Sequence, residues 1–593
     1  MSSSKQSKQE LSQTKNQGVK NSQDFSIVLC GAAGQGIKTV ESLLAHIFQK
    51  AGYYVFSTKE YMSRIRGGVN STEIRVGSHP VKAFIDRIDL VIPLTKGAID
   101  HLQHRIKQNT IIMGEKEIIT KPGKDHQGTI IDLDFSELAK EIGSKIYSNI
   151  IAAGVLTRLF DIDITLMKDY LSQRFKDKGE EVLENNYQAA EKGFELGNQL
   201  VSDNKVAFSL KKDPKATKMV INNGATIVGI GALAGGCNFI CSYPMSPSTG
   251  VLSFLADARE HFDVIVEQAE DEIAAINAGL GASYAGGRAL VTTSGGGLAL
   301  MSEGISLAGV SETPLVIHLA QRPGPATGLP TRTLQGDLEL ALYSGHGYFP
   351  RILLAPGSLE EAFYLTQKAF NLAAKYQILV IVLTDQYFVD SYYTCNPPDV
   401  SSVKIEHHIE KSPGKNYQRY VFTETGISPR GIPGASETII RADSHIHDQD
   451  GFICEDLQEN RPKMVEKQKK KLAYITQEAL PPELIGPKNY ETLLISWGST
   501  YNIINEAVAN LENQKIALLH FPQLYPLHHK TKDYLEKAKK IIVIENNTKG
   551  QFANLLELTY KIPLPKRILK SNGLPFSVEE IQQQIVKKME GTQ

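Results

Sequence analysis

Three short stretches bring reactive side chains together. Tyr243 to Thr249 (YPMSPST) sets hydroxyls between two prolines just after an apolar run. The prolines fix the backbone, so the turn is rigid and can hold Ser246 and Thr249 in place, or simply cap the helix that follows. Val266 to Glu272 (VEQAEDE) gathers Glu267, Glu270, Asp271 and Glu272 where a strand runs into a helix. Carboxylates there complement the helix dipole, and one withdrawn from water can also serve proton transfer. Gln321 to Arg332 (QRPGPATGLPTR) puts Arg322 straight after a strand, where its guanidinium can clamp a carboxylate through two parallel hydrogen bonds. A surface arginine before a loop is the plainer alternative. Thr327, Thr331 and Arg332 share the same Gly/Pro loop. A fourth stretch, Ser294 to Gly297 (SGGG), lets the backbone come close to a ligand or partner.

Each stretch follows an apolar segment: NFICS, DVIVEQ, PLVIHLA and RALVTTS. Helical periodicity separates these segments, which predicts a parallel sheet with reactive residues at the carboxyl ends of its strands. We place this unit at residues 218–400. Residues 25–202 read as another α/β domain, with strands SIVLCG, YYVFS, LVIPLT and TIIMG and helices at Asn149 to Leu159 and Glu184 to Leu200. Its Gly-rich turn GAAGQG opens a helix and offers free amides to an anion; Arg64 and Arg66 in SRIRGGVN suit a phosphate-rich ligand. The turn is not G-x-G-x-x-G and no G-K-[ST] follows, so nicotinamide and P-loop readings are weak. Residues 203–217 are polar and basic and read as a linker, 401–485 as an irregular connection, and 486–593 as a third α/β unit with strands ETLLISWGS, KIALLHF and IIVIEN.

Composition narrows the classes. The 593 residues carry 64 basic and 65 acidic side chains, which favours neither nucleic acid nor an anionic membrane as the main partner. No apolar run approaches the roughly 20 residues that span a bilayer. Residues 1–24 are rich in Ser, Gln and Lys, lack Arg and contain Glu10, so they read as a disordered tail rather than a transit peptide. The five cysteines lack the tight spacing of an iron–sulfur run and read as reduced thiols of a cytoplasmic protein. His445, His447 and Asp448 have no third ligand at a standard spacing, and no metal is assigned to this chain.

YPMSPST, the acidic segment leading into LGASYAG, and QRPGPATGLPT resemble the pyrimidine-binding domain of thiamine-diphosphate-dependent 2-oxoacid:ferredoxin oxidoreductases. The family pattern has Ile and Thr where this chain has Met245 and Ser246, and often Ser-Gly-Pro-Gly where it has SGGG. Residues 25–202 resemble the family's gamma subunit, and SWGST, HFPQLYPL and IENNTKGQF resemble a transketolase C-terminal-like domain. The resemblance implies a gamma domain fused before an alpha subunit. It implies Glu272, with Glu270 as the alternative, as the carboxylate that bonds the aminopyrimidine. It further implies Ser246, Thr249, Arg322, Thr327 and Thr331 as substrate-binding residues. Arg332 would meet a second carboxylate, which suits 2-oxoglutarate. Ser294 would lie at the cofactor, and Gly34, Gly36, Arg64 and Arg66 near coenzyme A. No GDG magnesium motif occurs; the only G-D is Gly336–Asp337. The diphosphate site, Mg2+ and a [4Fe-4S] cluster are therefore expected on a separate beta subunit, in an alpha–beta or alpha2beta2 assembly that reduces ferredoxin or flavodoxin. Pyruvate, branched-chain or indolepyruvate-type activity, or a non-catalytic scaffold, are the alternatives.

Overall fold

The structure, a computed structural model, describes residues 19–21, 23–32, 37–63, 68–119, 128–511, 513 and 515–590. The chain divides into two compact units, one of residues 1–222 with 391–397, the other of 223–390 with 398–593. Both are α/β, built on mixed but mostly parallel sheets.

The first unit holds an eight-stranded sheet in the order Thr129–Asp132, Ile111–Gly114, Leu90–Pro93, Asp24–Gly31, Asn70–Gly77, Tyr54–Glu60, Tyr392–Cys395 and Val220–Asn223. The strand Asn70–Gly77 (NSTEIRVG) runs antiparallel to both neighbours. Its pattern is not apolar because Glu73 and Arg75 are buried as ion pairs, Glu73 with Arg105 at 2.5 Å and Arg75 with Asp24 at 2.5 Å. The helices Ser148–Leu159 and Glu180–Ser202 pack closely through Gly154 and Gly193, where a side chain would strike the facing backbone. Phe25, Phe48, Tyr53, Phe160 and Phe208 form an aromatic centre. Residues 203–217, read as a linker, carry the strand Ala207–Ser209, paired with Val19–Asn21. Tyr392–Cys395, read as part of the middle domain, adds to this unit's sheet beside Tyr54–Glu60, where the Val55 amide donates to Thr394 Oγ1 at 2.8 Å.

The second unit has a seven-stranded sheet in the order Ile265–Gln268, Phe239–Ser242, Ala289–Thr293, Leu315–Gln321, Leu379–Asp385, Arg351–Leu354 and Gln523–Tyr525. All pairings but the last are parallel. A five-stranded sheet, Glu483–Ile485, Ile516–Phe521, Thr492–Trp497, Lys540–Glu545 and Arg567–Leu569, shares its hydrophobic core, which runs from Ile317 and Leu383 to Trp497 and Phe552. The connection read as irregular contains one long helix, Asn460–Gln477. Its inner face defeats an apolar pattern because it carries Lys467 and Lys471, both buried, which clasp the buried Glu312. Among the described residues no helix is long and apolar enough to cross a membrane.

Candidate active site

At the carboxyl ends of the parallel strands, four connections converge. The first leaves Phe239–Ser242 as the Tyr243–Ser248 turn and enters the helix Thr249–Ala258. Ser248 Oγ donates to the Met245 carbonyl at 2.7 Å, which tightens the turn. The Ser246 side chain is exposed, Thr249 is half-buried, and the Ser246 carbonyl accepts from Arg322 Nη1 at 2.6 Å.

The second connection leaves Ile265–Gln268 and enters the helix Glu272–Tyr284. Asp271 is the cap: its extended backbone lets the carboxylate accept from the Ala274 amide at 2.7 Å. The cap sends the next side chain inward. Glu272 is 3% exposed, and its Oε1 is buried without a hydrogen-bond partner, whereas Glu270 is exposed in the preceding turn. A buried carboxylate oxygen left unpaired costs more than a neutral group would, on the order of 1–3 kcal/mol or above. Such an atom calls for a donor from outside the chain.

The third connection follows Ala289–Thr293 and is the SGGG turn. Ser294 is fully buried, and its Oγ donates to Met245 Sδ at 2.6 Å, tying this turn to the first. Gly297 lies against Thr293 and Glu272: a β-carbon on it would strike Thr293 Oγ1 first and sit 2.7 Å from Cγ and 2.8 Å from Oε1 of Glu272. Gly295 lies against Asp337, with 2.5 Å from the same hypothetical atom to Oδ2. At Gly296 there is room, the closest atom being the Ala326 carbonyl oxygen at 3.7 Å.

The fourth connection follows Leu315–Gln321. Arg322 is 9% exposed; burial pushes its pKa down, opposed first by the charge of Asp337 and then by that of Glu272. Among the described residues, no ion pair within 4.0 Å joins Arg322 to either acid. Thr327 is exposed on the loop, Thr331 is buried, and Arg332 is half-buried beside Gly573. The loop is anchored at its far end by Gln335, fully buried, whose Nε2 donates to the Trp497 carbonyl at 2.8 Å and whose Oε1 accepts from the Asn546 amide at 2.9 Å. The Asp337 amide then donates to Gln321 Oε1 at 3.0 Å, which closes the loop onto its own strand.

Below these turns the sheet carries a buried polar chain. His318, 1% exposed, holds Thr292 Oγ1 and Thr384 Oγ1 at 2.8 Å each, and burial drives its pKa down to about 3. It stays neutral and bridges three strands, which fixes their relative height beneath the site.

Glu272, Arg322, Ser246, Ser294 and the loop residues thus lie on one face of the second unit. Gly34, Gly36, Arg64 and Arg66 lie outside the described residues. Asp337 is absent from the sequence-derived site. Read as a failed GDG motif, its Gly-Asp pair gave no sign that the aspartate would turn inward. Its one signal was a place just before the helix Leu338–Tyr343 on a loop that already carried Arg322.

Known proteins resemble this chain over nearly its whole length. Residues 26–196 match the family model of pyruvate ferredoxin/flavodoxin oxidoreductase, and residues 230–467 the thiamine-diphosphate-binding model of pyruvate flavodoxin/ferredoxin oxidoreductase. A 2-oxoacid:ferredoxin oxidoreductase subunit alpha of Sulfolobus sp. is 29% identical over 95% of this chain and 96% of its own length. The 2-oxoglutarate oxidoreductase subunit KorA of Mycobacterium tuberculosis is 30% identical over 82% of this chain and 73% of its own. The solved 2-oxoglutarate:ferredoxin oxidoreductase of Magnetococcus marinus, with 2-oxoglutarate, coenzyme A and succinyl-CoA bound, superimposes with a TM-score of 0.88 at 32% identity, covering 96% of this chain and all of that one. Likeness at this level from end to end, together with a buried carboxylate and a buried arginine at the strand ends, means that this chain belongs to the 2-oxoacid:ferredoxin oxidoreductase alpha-subunit family of thiamine-diphosphate-dependent enzymes.

Proposed function

We propose that this chain is the alpha subunit, with a gamma-type domain fused in front, of an enzyme that oxidatively decarboxylates 2-oxoglutarate with coenzyme A to succinyl-CoA and carbon dioxide, passing two electrons to ferredoxin or flavodoxin. The observation that carries the reading is the buried, unpartnered Oε1 of Glu272 beside Gly297. An acceptor held dry at this place fits the ring nitrogen of an aminopyrimidine. Held there, thiamine diphosphate would supply a nucleophilic carbon and an electron sink for decarboxylation of a 2-oxoacid. Glu272 is the residue that would hold the pyrimidine and stabilise its protonated ring nitrogen. Ser294 and Met245 would wall the same slot. Arg322 would take the substrate carboxylate, and the Ser246 carbonyl keeps its guanidinium aimed. Ser246 Oγ and Thr249 would face the keto group, and Thr327, Thr331 and Arg332 would line the approach, with Arg332 meeting the distal carboxylate. Gly34, Gly36, Arg64 and Arg66 would contact coenzyme A. Glu270 remains the alternative pyrimidine ligand, and its exposure favours Glu272.

The chain carries no GDG motif for the diphosphate and no cluster-spaced cysteines. A beta subunit therefore completes the site with Mg2+, the diphosphate pocket and a [4Fe-4S] cluster, in an alpha–beta or alpha2beta2 assembly. The test is co-expression with that subunit and coenzyme-A-dependent reduction of a viologen dye by 2-oxoglutarate, pyruvate and 2-oxoisovalerate. Turnover with 2-oxoglutarate that needs both chains, and that falls about 10²–10⁴-fold in Glu272→Gln, is the expected result. Turnover with another acid only would remove the role given to Arg332, and undiminished turnover in Glu272→Gln would remove the reading of the site.

A further inference from the structure

The site holds a second acid, half-buried, besides Glu272. Asp337 stands at the head of the helix Leu338–Tyr343, with its carboxylate lodged against Gly295. Its Oδ2 is buried and has no hydrogen-bond partner. The backbone around it is satisfied, since the Asp337 amide is taken by Gln321 and the Gly336 carbonyl accepts from Gln551 Nε2 at 2.8 Å. The unpaired oxygen is therefore not a stray turn contact: the loop is fully tied down and still leaves that atom bare.

We propose that Asp337 is a positioning residue of the 2-oxoacid site, whose carboxyl group takes up a proton when an anionic 2-oxoacid docks on Arg322, so that the guanidinium's charge is left to the substrate. The inference rests on the reading of Arg322 as the carboxylate clamp. Before substrate arrives, one buried cation is influenced by two acids, Asp337 more strongly than Glu272. The substrate adds a further negative charge to a place that already has more acid than base. Like charges in a low dielectric cannot all stay ionised, and of the two acids the one whose charge acts more strongly on Arg322, Asp337, is assigned the proton. Burial has already pushed Asp337 up to about 6, against the opposing pull of Arg322. The charged group acting on it is Arg322 at the end of the strand Leu315–Gln321; Glu272, from the helix Glu272–Tyr284, acts on that same arginine, Glu339 follows on Asp337's own helix, and the turn Ser294–Gly297 and Gln551 carry no charge. Protonated, Asp337 also gains a donor, which can turn toward the substrate or the Gly295 backbone.

The experiment uses the complex of this chain with its beta subunit, loaded with a deaza analogue of thiamine diphosphate that fills the site without reacting. It is titrated with 2-oxoglutarate in a calorimeter at about pH 7, in two buffers of different ionisation enthalpy, PIPES and Tris. A heat that differs between buffers, equivalent to roughly 0.3–1 proton taken up per acid bound, is expected, with affinity weakening up to tenfold per unit of pH above about 6. Asp337→Asn should bind with no such uptake, a flat profile and tighter binding than wild type at about pH 8. A residue of merely structural importance would weaken binding equally at all pH and leave the uptake unchanged. Wild-type binding with identical heats in both buffers, or uptake that survives in Asp337→Asn, overturns the inference and leaves the 2-oxoacid reading standing. No binding of 2-oxoglutarate, pyruvate or 2-oxoisovalerate by wild type overturns both. Should Asp337→Asn fail to fold, Asp337→Ser in the same two buffers takes its place, with the same two outcomes.

Discussion

Three adjacent glycines give a sharp test of the site's geometry. A methyl group on Gly297 would strike Thr293 Oγ1 first and lie 2.7–2.8 Å from Glu272, one on Gly295 would lie against the Asp337 carboxylate, and one on Gly296 would have the Ala326 carbonyl oxygen at 3.7 Å as its nearest neighbour. Overpacking of this kind costs about 1–3 kcal/mol. Against it stands the gain of roughly 0.5–1 kcal/mol for Ala over Gly in a helix. Gly297→Ala should therefore lose about 0–2 kcal/mol of stability, and Gly296→Ala should gain a few tenths to about 1 kcal/mol. The larger effect of Gly297→Ala is on the cofactor. Room for the methyl must come from Thr293 and from the Glu272 carboxylate together, and a shift of that carboxylate would withdraw the acceptor proposed for the pyrimidine. Loss of one charged hydrogen bond of about 1.5–3 kcal/mol corresponds to a ten- to hundredfold weaker affinity for thiamine diphosphate. Urea unfolding of the chain and calorimetric titration of thiamine diphosphate into the assembled complex measure the two effects separately. If Gly296→Ala and Gly297→Ala behave alike in both assays, the close packing at Gly297 is refuted, and if Glu272→Gln binds thiamine diphosphate as wild type does, so is the placement of Glu272 at the cofactor.

Other outcomes follow from the buried charges. Lys471→Ala leaves Glu312 with one ammonium partner, Lys467, and the Gln468 amide in a dry core and should cost about 3–5 kcal/mol, read as a fall in the urea midpoint. The two ammonium groups hold the Glu312 carboxyl well below the usual range, so the stability it contributes is present above its unfolded value near 4.5 and is lost as pH falls below that; Glu312→Gln should remove this acid sensitivity, seen by unfolding along a pH series. Asp337 has the opposite sign. Its pKa is raised from 3.8 to about 6, so its contribution, at most about 3 kcal/mol, is present below about pH 4 and lost as pH rises through about 6; Asp337→Asn should flatten that decline in the same assay. Gln335→Ala unpins the substrate loop from Trp497 and Asn546, with an expected cost of about 1–3 kcal/mol and a rise in KM for the 2-oxoacid that exceeds the fall in kcat.

Much of this architecture was legible in the sequence because parallel strands buried on both faces read as apolar runs, and each run here ends in a turn with its own chemistry. PLVIHLA, RALVTTS and ILVIVL all became central strands. What escaped notice was apolar in environment but not in composition. The strand Asn70–Gly77 buries Glu73 and Arg75, and the helix Asn460–Gln477 buries Lys467 and Lys471; each is matched by a partner far away in the chain, which no local pattern can announce. The site follows the same division. Arg322 and Glu272 stood out through their motifs, while the choice of Glu272 over Glu270 depended on the Asp271 cap, a matter of one residue in register. Asp337 needed the folded loop to bring it against Gly295.

The strand Tyr392–Cys395 sets a timetable for the molecule. It completes the sheet of the first unit, yet about 170 residues of the second unit separate it from Asn222, where the first unit's own chain leaves off. On a ribosome adding roughly 5–20 residues per second, the early sheet waits on the order of 10–30 s with that edge open. During that interval Tyr54–Glu60 presents unpaired backbone groups to any passing strand. A cut of the gene at the boundary between the two regions would turn this intrachain stitch into a strand lent by one polypeptide to another, so that the two separately made halves would have to recognise each other by main-chain pairing before the first unit's sheet was whole.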